Sequence, residues 1–443
     1  MGIKGLLQTF KSITEDHTHI SKFAGKRAAI DGYCWLHRFA VACAEDLCQG
    51  KPCNAWINGF IGRVRMLQDA NITPIIVFDG GPLPSKSGTE EDRAQRRQEA
   101  LDAAKTMDAA EAYREYMKAI DVNAEMAARV QRILVAMGVQ VIVAPYEADP
   151  QLAYLYREGL VDLVITEDSD MIPFGVKHML LKLQNDGTGA YLDLTKIGDT
   201  AAMDFRRVTD DAILDACILS GCDYLPSVPR VGLKTAFKLV KETGSGERAI
   251  LQLALSGKYQ VPADYSANYT KARLCFRHQR VFDPRTRTLV HLTPLTVAPA
   301  DTAFLGPALD DAVARGVADG QLHPTTRLPF NRKGRLYRLH LSDKVRSDDA
   351  SQFMRQSSQP APTRRPLTSR AEAGLRQSSC SPPTVTRVHR RWNPAPGRPV
   401  PAPAEDGGSQ LLEMLGSTTM SLFKPVRRDG VKRAGGAVAP VFD

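Results

Sequence analysis

Six acidic residues fall at the ends of short apolar runs in this 443-residue chain. Asp31 closes Arg27-Ala-Ala-Ile-Asp31, and Asp79 closes Pro74-Ile-Ile-Val-Phe-Asp79. Glu147-Ala-Asp149 follows Val139-Gln-Val-Ile-Val-Ala144, and Asp168-Ser-Asp170 follows Asp162-Leu-Val-Ile-Thr166. Asp223, just past an apolar helical stretch, adds a seventh carboxylate. A single acid at such a place could equally cap a helix or face solvent. The paired spacings E-x-D and D-x-D at successive strand ends instead crowd like charges that need cations to stay ionised. Oxygen donors without His or Cys suit Mg²⁺ or Mn²⁺. Two such ions about 4 Å apart can activate water and stabilise the leaving oxygen in phosphodiester hydrolysis.

The elements that must position these acids are legible from periodicity. The apolar runs read as buried parallel strands, and helical patterns lie between them. Asn123 can cap a helix bearing Met126, Val130, Ile133, Leu134 and Met137, with Gly138 as its stop. The alternation predicts an α/β fold with a mostly parallel central sheet flanked by helices. In such sheets the crevice beyond the strands' carboxyl ends is the ligand site. Pro150, next to Asp149, is acceptable at a first helical position.

Two segments break the alternation. Residues 86–121 are polar and helical, a lid or arch standing off the core, with Lys86, Arg93 and Arg97 on one face and Arg96 a turn from Arg93. Alone, this stripe could be a solvated, salt-bridged helix; beside a metal crevice it can hold a phosphate and offset transition-state charge. Residues 209–240 read as helix, turn, helix, with Thr209 as a cap and Gly232 opening the second helix, where Lys234 and Lys238 add charge for a DNA phosphate.

The net charge of +9 is uneven, because residues 343–443 hold 16 Lys/Arg against 9 Asp/Glu and 12 of the 28 prolines. So Pro-, Ser- and Arg-rich a stretch is expected to be a disordered basic tail, leaving residues 1–342 as the folded part. No apolar run reaches the roughly 18–20 residues of a membrane helix, and no signal-peptide core follows Met1. The eight cysteines include no C-x-x-C, which disfavours zinc and leads us to expect reduced thiols in an intracellular compartment.

Met-Gly-Ile-Lys-Gly-Leu-Leu at the start, Val-Phe-Asp79-Gly, Tyr146-Glu-Ala-Asp149, Thr166-Glu-Asp-Ser-Asp170 and Gly221-Cys-Asp-Tyr224 resemble the XPG-like (flap endonuclease-like) structure-specific 5′-nucleases. Asp31-Gly-Tyr33-Cys-Trp35-Leu-His37, Ala42-Cys-Ala-Glu45, Leu83-Pro-Ser-Lys86 and Ile218-Leu-Ser-Gly-Cys-Asp-Tyr fit the exonuclease branch of that family most closely, over about residues 1–320. The resemblance implies a PIN-like 5′-nuclease core. It comprises an N-terminal nuclease region over 1–100, a helical arch over 86–121, an internal nuclease region over 139–223 and a helix–two-turn–helix over 209–240.

It further implies a 5′→3′ exonuclease on double-stranded DNA that also cleaves 5′ flaps, with two Mg²⁺ ions for which Mn²⁺ could substitute. Its roles in repair would be mismatch repair, end resection and recombination. Asp31, Asp79, Glu147, Asp149, Asp168, Asp170 and Asp223 would hold the metals directly or through water, and Lys86 and Arg93 would meet the scissile phosphate. Gly2, Tyr33, His37, Arg96, Arg97, Gly232 and Lys234 would contact DNA, with Tyr33 stacking on the terminal base. Ser220 and Ser227 would bind a monovalent cation such as K⁺, although Arg230 stands where the family has glycine. The substrates would be 5′ ends, nicks, gaps or flaps, and the protein a monomer.

A basic cluster at Lys424-Pro-Val-Arg-Arg428 and Lys432-Arg433 could direct nuclear localisation or equally could only raise non-specific affinity for DNA. Met420-Ser-Leu-Phe423 is similar to short aromatic motifs that bind a MutL-type mismatch-repair partner, and MutL/MutS-type proteins are the partners expected through the tail. Two alternatives stay open: a flap endonuclease of replication and repair, whose clamp-binding pattern is not found in the tail, and a catalytically inactive DNA-binding scaffold.

Overall fold

Short runs of Ala, Ile and Val with no polar interruption favour strands buried on both faces. Four of them lie side by side in a seven-stranded sheet in the computed structural model, which describes residues 2–296 and 301–330. The strands are β1 (Thr14–His19), β2 (Arg27–Asp31), β3 (Thr73–Phe78), β4 (Gln140–Val143), β5 (Leu163–Thr166), β6 (His178–Leu181) and β7 (Thr188–Asp193). Their order is β1-β7-β6-β5-β2-β3-β4. The pairs β2–β3, β2–β5, β3–β4 and β5–β6 are parallel, and only β6–β7 and β1–β7 are antiparallel.

The fold is therefore the expected α/β architecture with a mostly parallel sheet, plus an antiparallel edge that the sequence does not announce. Thr14-Glu-Asp-His-Thr-His19 has no apolar pattern, and it becomes a strand because β7 offers it an unpaired backbone. A separate hairpin joins β8 (Arg280–Asp283) to β9 (Thr288–His291).

Side chains alternate across the sheet with period two. Ala28 and Ile30 of β2 and Ile76 and Phe78 of β3 pack on one side with Trp35, Trp56, Phe60 and Leu134. Ala29, Ile75, Val77 and Val164 pack on the other with Leu6, Phe10, Leu152 and Leu214. Full burial of such side chains contributes roughly 1.5–3 kcal/mol each, so the central strands are held from both faces.

Of the helices up to Thr243, four open on a side-chain cap. A one-turn helix α1 (Leu6–Thr9) precedes β1. Then come α2 (Gly32–Ala40), α3 (Ala44–Cys48), α4 (Ala55–Asp69), α5 (Ser87–Ala104), α6 (Ala109–Ala119), α7 (Ala124–Ala136), α8 (Ala148–Arg157), α9 (Asp210–Leu219) and α10 (Leu233–Thr243). Asn123 Oδ1 accepts from Met126 N at 3.1 Å to open α7, and Gly138, at φ 75°, follows its end. Thr209 Oγ1 accepts from Ala212 N at 3.1 Å to open α9. Pro150 sits at the third position of α8, not the first; it still lies in the opening turn, whose amides have no intrahelical partner.

The segment expected to stand off the core is two helices, not one. Asp108 breaks it and caps α6 by accepting from the amides of Ala110 and Glu111, both at 3.0 Å. Helix α5 is largely exposed, whereas α6 is seated: Ala112 and Ala119 are buried, and Tyr113 donates to Val41 O at 3.0 Å.

A second departure concerns the thiols. Cys43 and Cys53 are joined as a disulfide, against the expectation that every cysteine is reduced. The chain between them runs through α3 and returns, leaving the two Cα atoms 6.5 Å apart. Residues 331–342, the tail 343–443, its basic cluster at 424–433 and Met420-Ser-Leu-Phe423 lie outside the described residues.

Candidate active site

Strand order reverses at β2: the chain proceeds to β3 and β4 on one side and returns to β5 on the other. The carboxyl ends of these four strands are where Asp31, Asp79, Glu147, Asp149, Asp168 and Asp170 fall. Local hydrogen bonds aim them. Asp31 Oδ1 accepts from Cys34 N at 3.0 Å and caps α2. Asp79 Oδ1 accepts from Ala148 N at 2.7 Å, tying the start of α8, with Glu147 and Asp149, to the end of β3. Asp168 Oδ1 accepts from Asp170 N at 2.9 Å, and Asp170 Oδ1 accepts from Ile3 N at 3.0 Å.

That last bond brings the N-terminal segment onto the acidic loop. Gly2 has φ 86°, and a Cβ there would lie 2.3 Å from both Asp168 Oδ1 and Ser169 Oγ. Only glycine fits such a close approach.

Burial and mutual repulsion act together on this set. Asp31 is 7% exposed and Asp170 4%. Burial, then the charge of Asp79, pushes the Asp31 carboxyl up to about 7. Burial, against the Ala148 amide and helped by Glu147, raises Asp79 to about 6. Asp149 and Asp170 are raised well above the ordinary carboxylate range by burial and then by Asp168, and burial also raises Asp168.

Cations answer from the arch. The Lys86 ammonium pairs with Glu147 and lies 3.1 Å from Asp223. Burial disfavours its charge, yet Glu147 and Asp223 hold it well above the ordinary lysine range. Arg93 reaches Asp223 at 3.5 Å and Glu90 at 2.6 Å. Against burial, which pushes it up, Asp223 is held low by Lys86 and Arg93.

The stripe splits beyond that point. Arg97 turns to Asp121 at 3.4 Å, and Arg96 is exposed to solvent. Tyr33 lines a small recess with Asp79 and Gln131, and its hydroxyl pKa is raised by burial and then by Asp79. Burial, then the charge of Arg97, lowers that of His37.

The sequence reading missed Tyr224. Its hydroxyl donates to Glu147 Oε2 at 2.5 Å and accepts from Gln279 Nε2 at 2.7 Å. Its place beside Asp223 was the available signal. Also missed were Arg206, Arg207 and Lys241, which with Lys234 and Lys238 line a groove of about 880 Å³ beside α10, over Phe205 and Phe237. The loop 201–208 that supplies two of them carries no helical or strand pattern to mark it.

At the bend that follows α9, Ser220 Oγ donates to Cys217 O at 2.8 Å, and Gly221 brings Ser227 against the same bend. Gly232 is the extended residue that opens α10. Val231 N donates to Val228 O at 2.9 Å, closing a turn in which Arg230 adopts φ 71°, a position glycine fills more readily. Arg230 Nη2 donates to Lys258 O at 2.5 Å, which holds it there.

The buried donor set is all oxygen and its charges repel, which fits hard divalent cations. As the side chains stand, no three His, Cys, Asp or Glu among the described residues close around one point that could hold an ion. Lys86 supplies the opposing charge between Glu147 and Asp223.

The XPG N-terminal domain matches residues 1–100 and the XPG I-region residues 138–223. The chain is 40% identical over 338 residues to exonuclease 1 of Oryza sativa subsp. japonica, covering 75% of this chain and 40% of that protein. It is 33% identical over 305 residues to the DNA damage-inducible protein DIN7 of Saccharomyces cerevisiae, covering 67% of this chain and 70% of that protein. Among solved structures, the catalytic core of Rad2 in complex with DNA substrate aligns with TM-score 0.48 at 19% identity, over 72% of this chain and 99% of that one. The chain spans 40–59% of the length of the first three curated relatives it matches.

Proposed function

The chain belongs to the XPG family, and on that premise we propose that it is a divalent-metal-dependent 5′→3′ exonuclease on double-stranded DNA that also cleaves 5′ flaps. The observation that carries this reading is the meeting of two charge sets. Six carboxylates from four strand ends lie at the reversal of strand order, and Lys86 and Arg93 reach from the arch to Glu147 and Asp223.

Asp31, Asp79, Glu147, Asp149, Asp168, Asp170 and Asp223 would hold two Mg²⁺ ions, or Mn²⁺ in their place. When bound, such ions supply the Lewis acidity for phosphodiester hydrolysis. The rest falls to side chains. Lys86 and Arg93 exchange their carboxylate partners for the scissile phosphate and offset the charge that builds in the transition state. Tyr33, beside Asp79, offers a ring to the terminal base. Lys234 and Lys238, with Arg206, Arg207 and Lys241, meet duplex phosphates beyond the site. Ser220 and Ser227 flank the turn at which a monovalent cation such as K⁺ would bind.

The same reading includes work in DNA repair (mismatch repair, end resection and recombination), a monomeric state, nuclear localisation, and MutL/MutS-type partners engaged through the tail. The test is digestion of 5′-recessed, nicked and flapped duplexes by the purified full chain, with Mg²⁺ and with chelator. Release of products from 5′ ends and flaps only with Mg²⁺ is expected. Duplex binding without cleavage under every metal condition would leave a scaffold instead.

A further inference from the structure

Cys43, Cys48 and Cys53 lie five residues apart, in the segment on which helix α6 rests. Three contacts make that seat. Tyr113 donates to Val41 O at 3.0 Å, Cys48 Sγ lies 3.6 Å from Tyr116 O, and Gln49 Nε2 reaches Tyr116 Oη at 3.4 Å. Cys43, buried, and Cys53, half-buried, are bonded to each other and so close a covalent ring that includes α3. Trp56, in the first turn of α4, donates to Cys53 O at 3.0 Å and anchors the far end of that ring to the core. The remaining free thiols among the described residues, Cys34, Cys48, Cys217, Cys222 and Cys275, form no disulfide.

We propose that Cys43 and Cys53 are a redox modification site whose bond stiffens the seat of α6, and through it the arch. Intracellular thiols are kept reduced, so a bond in such a place forms transiently and under oxidant. The oxidant class is a hydroperoxide. The Cys53 thiolate, at the more open position, takes one oxygen of the peroxide as the O–O bond breaks and becomes a sulfenic acid, and the departing hydroxide takes up the proton the thiol released and becomes water. The Cys43 thiolate then attacks that sulfur, the S–S bond forms, and the oxygen leaves as a second water after protonation. In sum, two thiols and one hydrogen peroxide give one disulfide and two waters. A cellular dithiol reverses it by exchange.

The physical effect follows from chain entropy. With thiols free, the loop between α3 and α4 samples openings that unseat α6; with the bond closed, those openings are removed.

The experiment uses the full chain, reduced with dithiothreitol or treated with stoichiometric hydrogen peroxide. Alkylation located by fragment-ion mass spectrometry reads the thiols, and amide hydrogen exchange reads the seat. Neither readout depends on nuclease activity, so the inference and the proposed function can fail separately. After peroxide, Cys43 and Cys53 are expected to resist alkylation while Cys48 accepts it. Exchange at residues 44–49 and 110–119 should slow by about tenfold. Cys53→Ser should abolish both effects, and Cys48→Ser should keep both. The comparison of the two redox states of the unmodified chain stands even if a variant folds poorly. Alkylation of both Cys43 and Cys53 after peroxide overturns the proposal, and so does a bond that leaves exchange at 110–119 unchanged.

Discussion

The Tyr224 hydroxyl donates to Glu147 Oε2 at 2.5 Å, across 77 residues of sequence, and Gln279 donates to the same hydroxyl oxygen at 2.7 Å. The second bond orients the first, because the hydroxyl proton can then point only at the carboxylate. Glu147 is thereby held with one oxygen toward Tyr224 and the other toward Lys86.

We predict that Tyr224→Phe lowers single-turnover cleavage by about tenfold and stability by about 1–2 kcal/mol, since a charge-assisted bond is lost and the Gln279 amide loses its acceptor. Urea unfolding measures the second effect. Unchanged cleavage and midpoint would mean that Glu147 needs no such orientation.

Asp170→Ala and Asp223→Ala are predicted to abolish cleavage while leaving duplex affinity within a few-fold. Both acids belong to the carboxylate set proposed to hold the metals, whereas affinity for DNA comes mainly from cationic contacts to phosphates. Fluorescence anisotropy for binding, paired with product gels, checks this. Near wild-type cleavage by either variant in saturating Mg²⁺ would contradict it.

Lys86→Ala and Arg93→Ala are predicted to slow single-turnover cleavage by roughly 10²–10³ while weakening binding far less, as befits donors that act mainly in the transition state. Arg96→Ala, at an exposed position on the same helix, should have little effect on rate. Equal losses of rate and affinity at Lys86 and Arg93 would make the arch a docking surface only.

Stability should depend on pH in a direction set by Asp31 and Asp79, whose carboxyl groups burial pushes up to about 7 and about 6. A carboxyl that binds its proton more tightly when folded adds stability at low pH and loses it as pH rises through the folded value. With chelator present, the melting temperature is expected to fall between pH 5 and pH 8. Mg²⁺ should raise it more at pH 8 than at pH 5, and Asp31→Asn should flatten the trend. A Mg²⁺ effect larger at pH 5 would reverse the assignment.

How much of this was legible beforehand depended on whether the signal was local. Residues 27–31, 74–79, 139–144 and 162–166 announce buried strands because each is a continuous apolar run, and Asn123 and Thr209 announce helix starts because a cap works within four residues. The acids that follow those strands were legible for the same reason. Parallel strands point their carboxyl ends one way, so Asp31, Asp79, Glu147 and Asp168 had to share an edge.

Strand order was not local, and only the tertiary structure could decide it. Polar β1 becomes a strand solely because β7 needs a partner, and the reversal at β2 exists only once all the strands are paired. The split of the cationic stripe was likewise undecided by helical spacing. Lys86 and Arg93 face Asp223 while Arg97 turns to Asp121, because α5 and α6 fold back on each other at Asp108. Tyr224 with Glu147, and Cys43 with Cys53, are pairs whose composition is plain in the sequence and whose meeting is not. Contacts between separated segments follow from how the whole chain buries its apolar faces, and that is settled in three dimensions.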